Sequence, residues 1–355
     1  MFHAFNAKTA DELWRTIAGV FRAGEGVGSQ ASRAGSTREL LHVCVSIDEP
    51  QQRWILSREP PLNPAFAIAE VVWLVEGRQD AGFLNHWNPV LPRFAGTGPV
   101  YHGAYGYRLR ENFGFDQLVR AFEVLRRNPD SRQVVLQTWD ATKDFPRADG
   151  EPAAEDIPCN IASMLKVREG RLDWLQVLRS NDLYLGLPHN IVQFTSLQEI
   201  LAGWLGVSIG QYQQVSDSLH VYERDWDVLT RIQPVRTPAR NSDSLMFQKS
   251  EADQLWSELS RRMERLAYEK EMAARDWLRN ACWLGAPEAF QNMLRVVAAD
   301  DARRRGWDSE ADSLGRECTN PSLVLALTRW VERCFQRRAG AGAVATEAIR
   351  AKVRP

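Results

Sequence analysis

The sequence predicts an α+β fold with an all-helical C-terminal extension. Before about residue 235, apolar runs of strand period alternate with runs of helix period. After about Pro238 only the helical period recurs. The chain therefore divides into a mixed-sheet region, 1–238, and a helical region, 239–355. At 355 residues it is long enough for a sizeable core.

Ala10 to Phe21 places Leu13, Ile17, Val20 and Phe21 on one helical face. Gly24 to Gly35 is rich in Gly, Ser and Ala and reads as a loop. Leu40 to Ile47 is apolar and β-branched, a strand stopped by Asp48-Glu49-Pro50. Asn63-Pro64 opens a strongly apolar helix that runs to Val75 and closes near Gly77. Gly98-Pro99-Val100-Tyr101 is a turn, and Phe115 to Arg126 a helix stopped by Asn128-Pro129-Asp130. Gln133 to Trp139 reads as a strand, as do Ala162 to Val167 and Leu172 to Leu178, the last two joined by a Glu169-Gly170 hairpin turn. Val192 to Leu205 is a buried helix and Val215 to Tyr222 another strand. Ser250 to Arg279 predicts one long helix with Trp256, Leu259, Met263, Leu266 and Trp277 inward. Helices around Pro287–Asp301, Ser309–Glu317 and Ser322–Arg337 follow.

Charged residues make up 25% of the chain and hydrophobic ones 44%, and the formal net charge is −1. No global field favours nucleic acid or a membrane surface, although a local arginine cluster could hold a small anion. No apolar run approaches the ~20 residues of a membrane span, and Met1-Phe2-His3-Ala4-Phe5 does not resemble a secretory leader. Five scattered cysteines without Cys-x-x-Cys spacing suggest neither a disulfide framework nor a zinc site, and a reducing cytoplasm is the simplest expectation.

Four blocks carry the chemistry: Asp156-Ile157-Pro158-Cys159-Asn160, Arg179-Ser180-Asn181-Asp182, Gly186-Leu187-Pro188-His189-Asn190 and Asp217-Ser218-Leu219-His220-Val221-Tyr222. A lone cysteine is more often a core residue. Here a nucleophile, an anion clamp, a planar amide and two side chains on one strand face come together in one stretch of chain. A planar guanidinium beside a hydroxyl suits a phosphate.

Together the blocks resemble the thymidylate synthase superfamily, from about Arg33 to Asp225. The resemblance implies a thymidylate synthase-like mixed sheet and an obligate homodimer. It implies a pyrimidine nucleotide monophosphate as substrate and 5,10-methylenetetrahydrofolate as co-substrate, with no metal. By resemblance, Cys159 adds to C6 of the base and Glu70 organises a proton-transfer water network. Tyr101 stands near the cysteine and Asn160 follows it. Arg33, Arg179, Ser180 and, across the two-fold axis, Arg132 hold the phosphate. Asn190 reads the pyrimidine edge, favouring uracil over cytosine, although an amide can flip. His220 and Tyr222 contact the sugar, and Asp182 with Gly186 faces the folate.

The departures from the family bear on the reaction. Asn160 stands where thymidylate synthases carry a His, and it cannot shuttle a proton at neutral pH. Arg132-Gln133 replaces two consecutive arginines. Trp87 does not align clearly with the tryptophan that shields the family's exocyclic methylene intermediate, and helices replace the usual closing tail. Water reaching that intermediate gives a hydroxymethyl group; hydride gives a methyl. Hydroxymethylation is the favoured expectation, thymidylate synthesis with dihydrofolate release the alternative, and an inactive nucleotide-binding homologue a third.

Overall fold

The computed structural model describes residues 2–32, 35–230, 232 and 239–352. In chain order the mixed region contains β1 (His3–Ala7), α1 (Ala10–Ala23), β2 (Gly28–Gln30), β3 (Thr37–Ile47), α2 (Pro64–Val75), α3 (Ala81–Trp87) and α4 (Pro92–Ala95). It continues with α5 (Tyr105–Arg110), α6 (Gln117–Arg127), β4 (Val135–Gln137), α7 (Ala141–Asp144), β5 (Asn160–Arg168), β6 (Arg171–Asp182), α8 (Gly186–Leu205) and β7 (Ser208–Tyr222). A 3₁₀ segment, Glu223–Thr230, ends it. Five helices follow: α9 (Lys249–Tyr268), α10 (Ala274–Ala281), α11 (Glu288–Arg305), α12 (Asp308–Glu317) and α13 (Pro321–Lys352).

The strands form one seven-stranded sheet in the order β1-β3-β7-β6-β5-β4, with β2 paired to β3. The β1–β3 and β6–β7 pairs are parallel, the others antiparallel. This is the mixed sheet that the sequence predicts, with the helical addition after it. One face of the sheet is covered by α8, which is buried along nearly its whole length. The other face presents Val135, Met164, Leu175, Val177 and Val215 in register, with Val135 47% and Met164 38% exposed.

Against α8 lies α2. Asn63 caps it by accepting from the N–H groups of Ala65 and Phe66, and Pro64 fits the first turn, where no N–H is needed. Every residue of α2 except Glu70 is buried. Helices α9, α11 and α13 cover its remaining surface, so the C-terminal helices share the core of the mixed region. Gly106 of α5 allows another close approach: a Cβ there would sit 2.4 Å from the Leu74 carbonyl oxygen.

Several elements differ from the sequence expectation for identifiable reasons. The loop 24–35 contains β2, which adds to the edge of β3. Helix α8 starts at Gly186 rather than Val192, because Asp182 Oδ1 accepts from the N–H groups of Tyr184 and Leu185 and sets up the first turn. Pro188 lies within that turn, where it is tolerated. Strand β4 is shorter than Gln133–Trp139, since only its central residues pair with β5. The single helix expected over Ser250–Arg279 is two: Arg305 donates to the carbonyls of Leu266, Glu269 and Lys270, taking up the end of α9 before the chain turns.

A buried ion pair joins the two regions. Arg53 pairs with Glu199 of α8 and donates to Ser196 Oγ at 2.7 Å. The other Glu199 oxygen accepts from the Leu245 N–H at 2.9 Å. Replacing Glu199 by Ala leaves Arg53 as an unpaired buried cation, and the expected loss is about 3–5 kcal/mol. Urea denaturation of the variant against the parent measures it.

Candidate active site

The site assembles at the start of β5, the ends of β6 and β7 and the first turns of α8. Arg179 on β6 grips the loop before β5: its backbone N–H donates to the Cys159 carbonyl at 2.9 Å, Nε to the Pro158 carbonyl at 2.9 Å and Nη2 to the Ile157 carbonyl at 3.1 Å. The guanidinium also stacks over Trp139 at 5.6 Å. At the other end of this loop, Asp156 Oδ2 accepts from the Gly103 N–H at 2.9 Å. The Cys159 thiol is half-buried between these anchors.

An adjacent cation alone would favour the thiolate, as the sequence suggests. The balance runs the other way: burial pushes the Cys159 thiol up, Arg179 pulls it down, and Asp156 and Asp182 push it further up. The free chain therefore holds Cys159 chiefly as thiol at neutral pH. Tyr105 of α5 hydrogen-bonds Asn160 and the Cys159 backbone, and burial raises its pKa well above the ordinary tyrosine value. Tyr105 lies in none of the four motif blocks, so no sequence signal marked it.

Asn160 is fully buried, with Oδ1 accepting from Gln176 Nε2 at 2.9 Å and Nδ2 donating to Asn190 Oδ1 at 3.4 Å. Asn190 Nδ2 donates to Asn181 Oδ1 at 3.1 Å. Asn190 lies inside α8, past its first turn, so its amide does not cap the helix start. Gly186 sits beside these amides: a Cβ there would lie 3.3 Å from Asn181 Oδ1 and 3.8 Å from Asn190 Nδ2. Glu70, the one residue of α2 left partly exposed, pairs through Oε2 with Nδ1 of His189. His189 stood in a motif block but had no role assigned to it. Tyr101 is buried and donates to Asn85 Oδ1 on α3, a partner the sequence did not point to.

On the sheet, Asp182 is the register partner of His220, and Ser180 of Ser218. His220 and Tyr222 face one side while Leu219, before His220, and Val221, between the two, are buried, as strand alternation requires. Their rings meet edge to face at 5.4 Å, and Tyr222 hydrogen-bonds Ser32. Asp182 Oδ1 is spent on the α8 turn, whereas Oδ2 is buried with no hydrogen-bond partner among the described residues. Burial raises the Asp182 pKa.

Two expected phosphate ligands are not placed here. Arg33 lies outside the described residues. Arg132 is exposed between α6 and β4. Trp87 is fully buried beneath α3, where its carbonyl accepts from Asn63 and Arg304, so it lines the core.

A family model described as thymidylate synthase matches residues 22–271, well over half of the sequence. The chain is 35% identical over 207 residues to the deoxyuridylate hydroxymethyltransferase of Bacillus phage SP01, covering 55% of this chain and 53% of that protein. It is 36% identical over 194 residues to the enzyme of the same name from Pseudomonas phage M6, covering 54% and 53%. A Methanothermobacter marburgensis protein, named provisionally as a thymidylate synthase, is 40% identical over 192 residues, covering 54% of this chain and 80% of its own length. The chain thus spans about half the length of the two phage relatives.

The thiol electrostatics are testable by alkylation. Because burial raises the Cys159 pKa, iodoacetamide labelling of Cys159, followed by peptide mass spectrometry, is expected to be slow at pH 7. It should rise with a midpoint above the ordinary thiol value of about 8.5. Among the described residues Arg179 is the cation that lowers it, so Arg179→Ala should move the midpoint to still higher pH.

Proposed function

This chain belongs to the thymidylate synthase family, and we propose that it transfers a one-carbon unit from 5,10-methylenetetrahydrofolate to C5 of a uracil nucleotide monophosphate and leaves it as a hydroxymethyl group. The observation that carries the reading is the Arg179 guanidinium held on the Cys159 loop, with the Asn160–Asn190 amide pair next along the chain; the Glu70–His189 pair supports it.

Arg179 and Ser180 bind the phosphate, with two guanidinium N–H groups kept on the cysteine loop. His220 and Tyr222 hold the sugar. Arg179 opposes the burial that keeps Cys159 protonated, and the thiol proton passes to water as the sulfur attacks. Cys159 Sγ then forms a bond to C6, and the electron pair displaced to C5 makes that carbon the nucleophile. C5 bonds to the methylene carbon of methylenetetrahydrofolate; Glu70, with His189 and water, then takes the C5 proton as the carbon–nitrogen bond to the folate breaks and tetrahydrofolate leaves. Water adds to the resulting exocyclic methylene, and expulsion of the Cys159 thiolate from C6 restores the ring.

Asp182 fits a role at the folate. Its unpartnered, buried Oδ2 needs a donor, and a pterin ring offers N–H groups. Support for hydroxymethylation comes from Asn160, held in place by neighbouring amides where a His could relay protons, and from Trp87, whose burial leaves it no part in shielding. The names of the two phage relatives support the same outcome and deoxyuridylate as the nucleotide. Arg329 of α13 donates to Glu59 Oε2 at 2.9 Å, beside the buried Arg58 that stacks on Tyr184, and this contact supports a reading in which α13 takes the part of the family's closing tail. A homodimer follows from the same reading, with the apolar outer face of the sheet covered and Arg132 completing the partner's phosphate site.

Incubation with dUMP and methylenetetrahydrofolate is expected to give a product heavier by CH2O without the absorbance rise of dihydrofolate. A gain of CH2 with that rise would replace the proposal by thymidylate synthesis. Cys159→Ala should lose turnover below detection while binding nucleotide nearly as well as the parent. An equal loss of binding would argue against the covalent role.

A further inference from the structure

Beneath Cys159 runs a continuous line of buried side-chain hydrogen bonds. Trp174 Nε1 donates to Gln176 Oε1 at 3.1 Å. Gln176 Nε2 donates to Asn160 Oδ1, Asn160 Nδ2 to Asn190 Oδ1, Asn190 Nδ2 to Asn181 Oδ1, and Asn181 Nδ2 to Ser216 Oγ at 3.2 Å. Each of these residues is buried, so each unmade bond would be costly.

A line of amides has a direction. If any one flips, its neighbour faces donor to donor or acceptor to acceptor, and the flip must propagate to the end. Carboxamides and hydroxyls are indifferent to which direction is chosen. Ser216, whose Oγ also accepts from Gln214 Nε2 at 3.3 Å, can donate or accept, as can the Tyr212 hydroxyl beyond Gln214 and Ser163, whose Oγ meets Gln176 Oε1 at 2.6 Å. The indole N–H of Trp174 is different, because it can only donate.

We infer that Trp174 is a specificity-determining positioning residue: its N–H sets the direction of the amide line and thereby holds Asn190 in the orientation that favours uracil over cytosine. The inference rests on the reading of Asn190 as the base reader given above. In the observed direction, Asn190 Nδ2 points along the line towards Asn181 and Oδ1 towards Asn160, and each atom keeps capacity for one further bond. A fixed amide offers a donor to O4 and an acceptor to N3–H of uracil. Cytosine has the complementary pattern and would require the whole line to reverse. The longest link, Asn160 to Asn190 at 3.4 Å, is where a reversal would pass most easily.

The test compares dissociation constants of dUMP and dCMP by calorimetry for four proteins. The parent is expected to prefer dUMP. Trp174→Phe keeps the ring and removes the donor, and Gln176→Met keeps the volume and cuts the line from its anchor. Both should reduce the preference about tenfold, mainly by tighter dCMP binding. Ser163→Ala removes a shorter hydrogen bond to the same Gln176 oxygen but leaves Trp174 in command, and its preference should stay within about twofold of the parent. Folding of each variant is checked by its thermal midpoint. An unchanged preference in both Trp174→Phe and Gln176→Met, or equal weakening of both nucleotides, would overturn the inference as a merely structural effect. A parent protein without preference for dUMP would instead overturn the assignment of Asn190, and the inference with it.

Discussion

Three hydrogen bonds from one residue organise the site. Arg179 occupies the carbonyls of residues 157, 158 and 159, and in doing so fixes where the chain enters β5. The cysteine is delivered to the edge of β6 by backbone contacts, so its position does not depend on its own side chain. Asp156 pins the preceding turn to Gly103, which brings Tyr101 and Tyr105 alongside. The same guanidinium is the cation nearest in effect to the thiol, opposing its burial. Scaffold and electrostatics therefore share a single side chain.

The polar groups that this arrangement buries are satisfied by one another. Asn160, Asn181, Asn190 and Gln176 come from three elements, β5, β6 and α8, and meet in the layer between sheet and helix. A buried polar layer contributes less to stability than an apolar one of equal volume, but it admits few alternative packings. Asp182 has one oxygen engaged and the other without a partner among the described residues, as has Gln198 through its Oε1. At Asp182, unlike Gln198, the open atom belongs to a residue of the motif blocks.

Much of this was legible from the residues alone. The Asn63-Pro64 cap, the Glu169-Gly170 turn with both residues at positive φ, and the alternation of His220 and Tyr222 are local signals, and each is where it was read. The motif residues Cys159, Arg179, Asn190 and His220 belong to neighbouring elements because the sheet order places β5, β6 and β7 side by side. What escaped was set by contacts distant in sequence. The break after Tyr268 is made by Arg305, the early start of α8 by the Asp182 carboxylate, and the rise of the Cys159 pKa by burial that no motif encodes. Trp174 and Gln176 read as strand core, and only the register of β5 against β6 shows them reaching Asn160.

The burial of α2 has a consequence for how the protein comes into being. Its twelve residues, ending at Val75, need α8 on one side and α9, α11 and α13 on the other. The last of these begins at Pro321. At roughly 5–20 residues per second, a ribosome takes on the order of tens of seconds to cover that span. For all that time the most apolar helix of the mixed region is finished but uncovered. The interval between its synthesis and its shelter is the period in which the nascent chain is most exposed to aggregation and most in need of a chaperone.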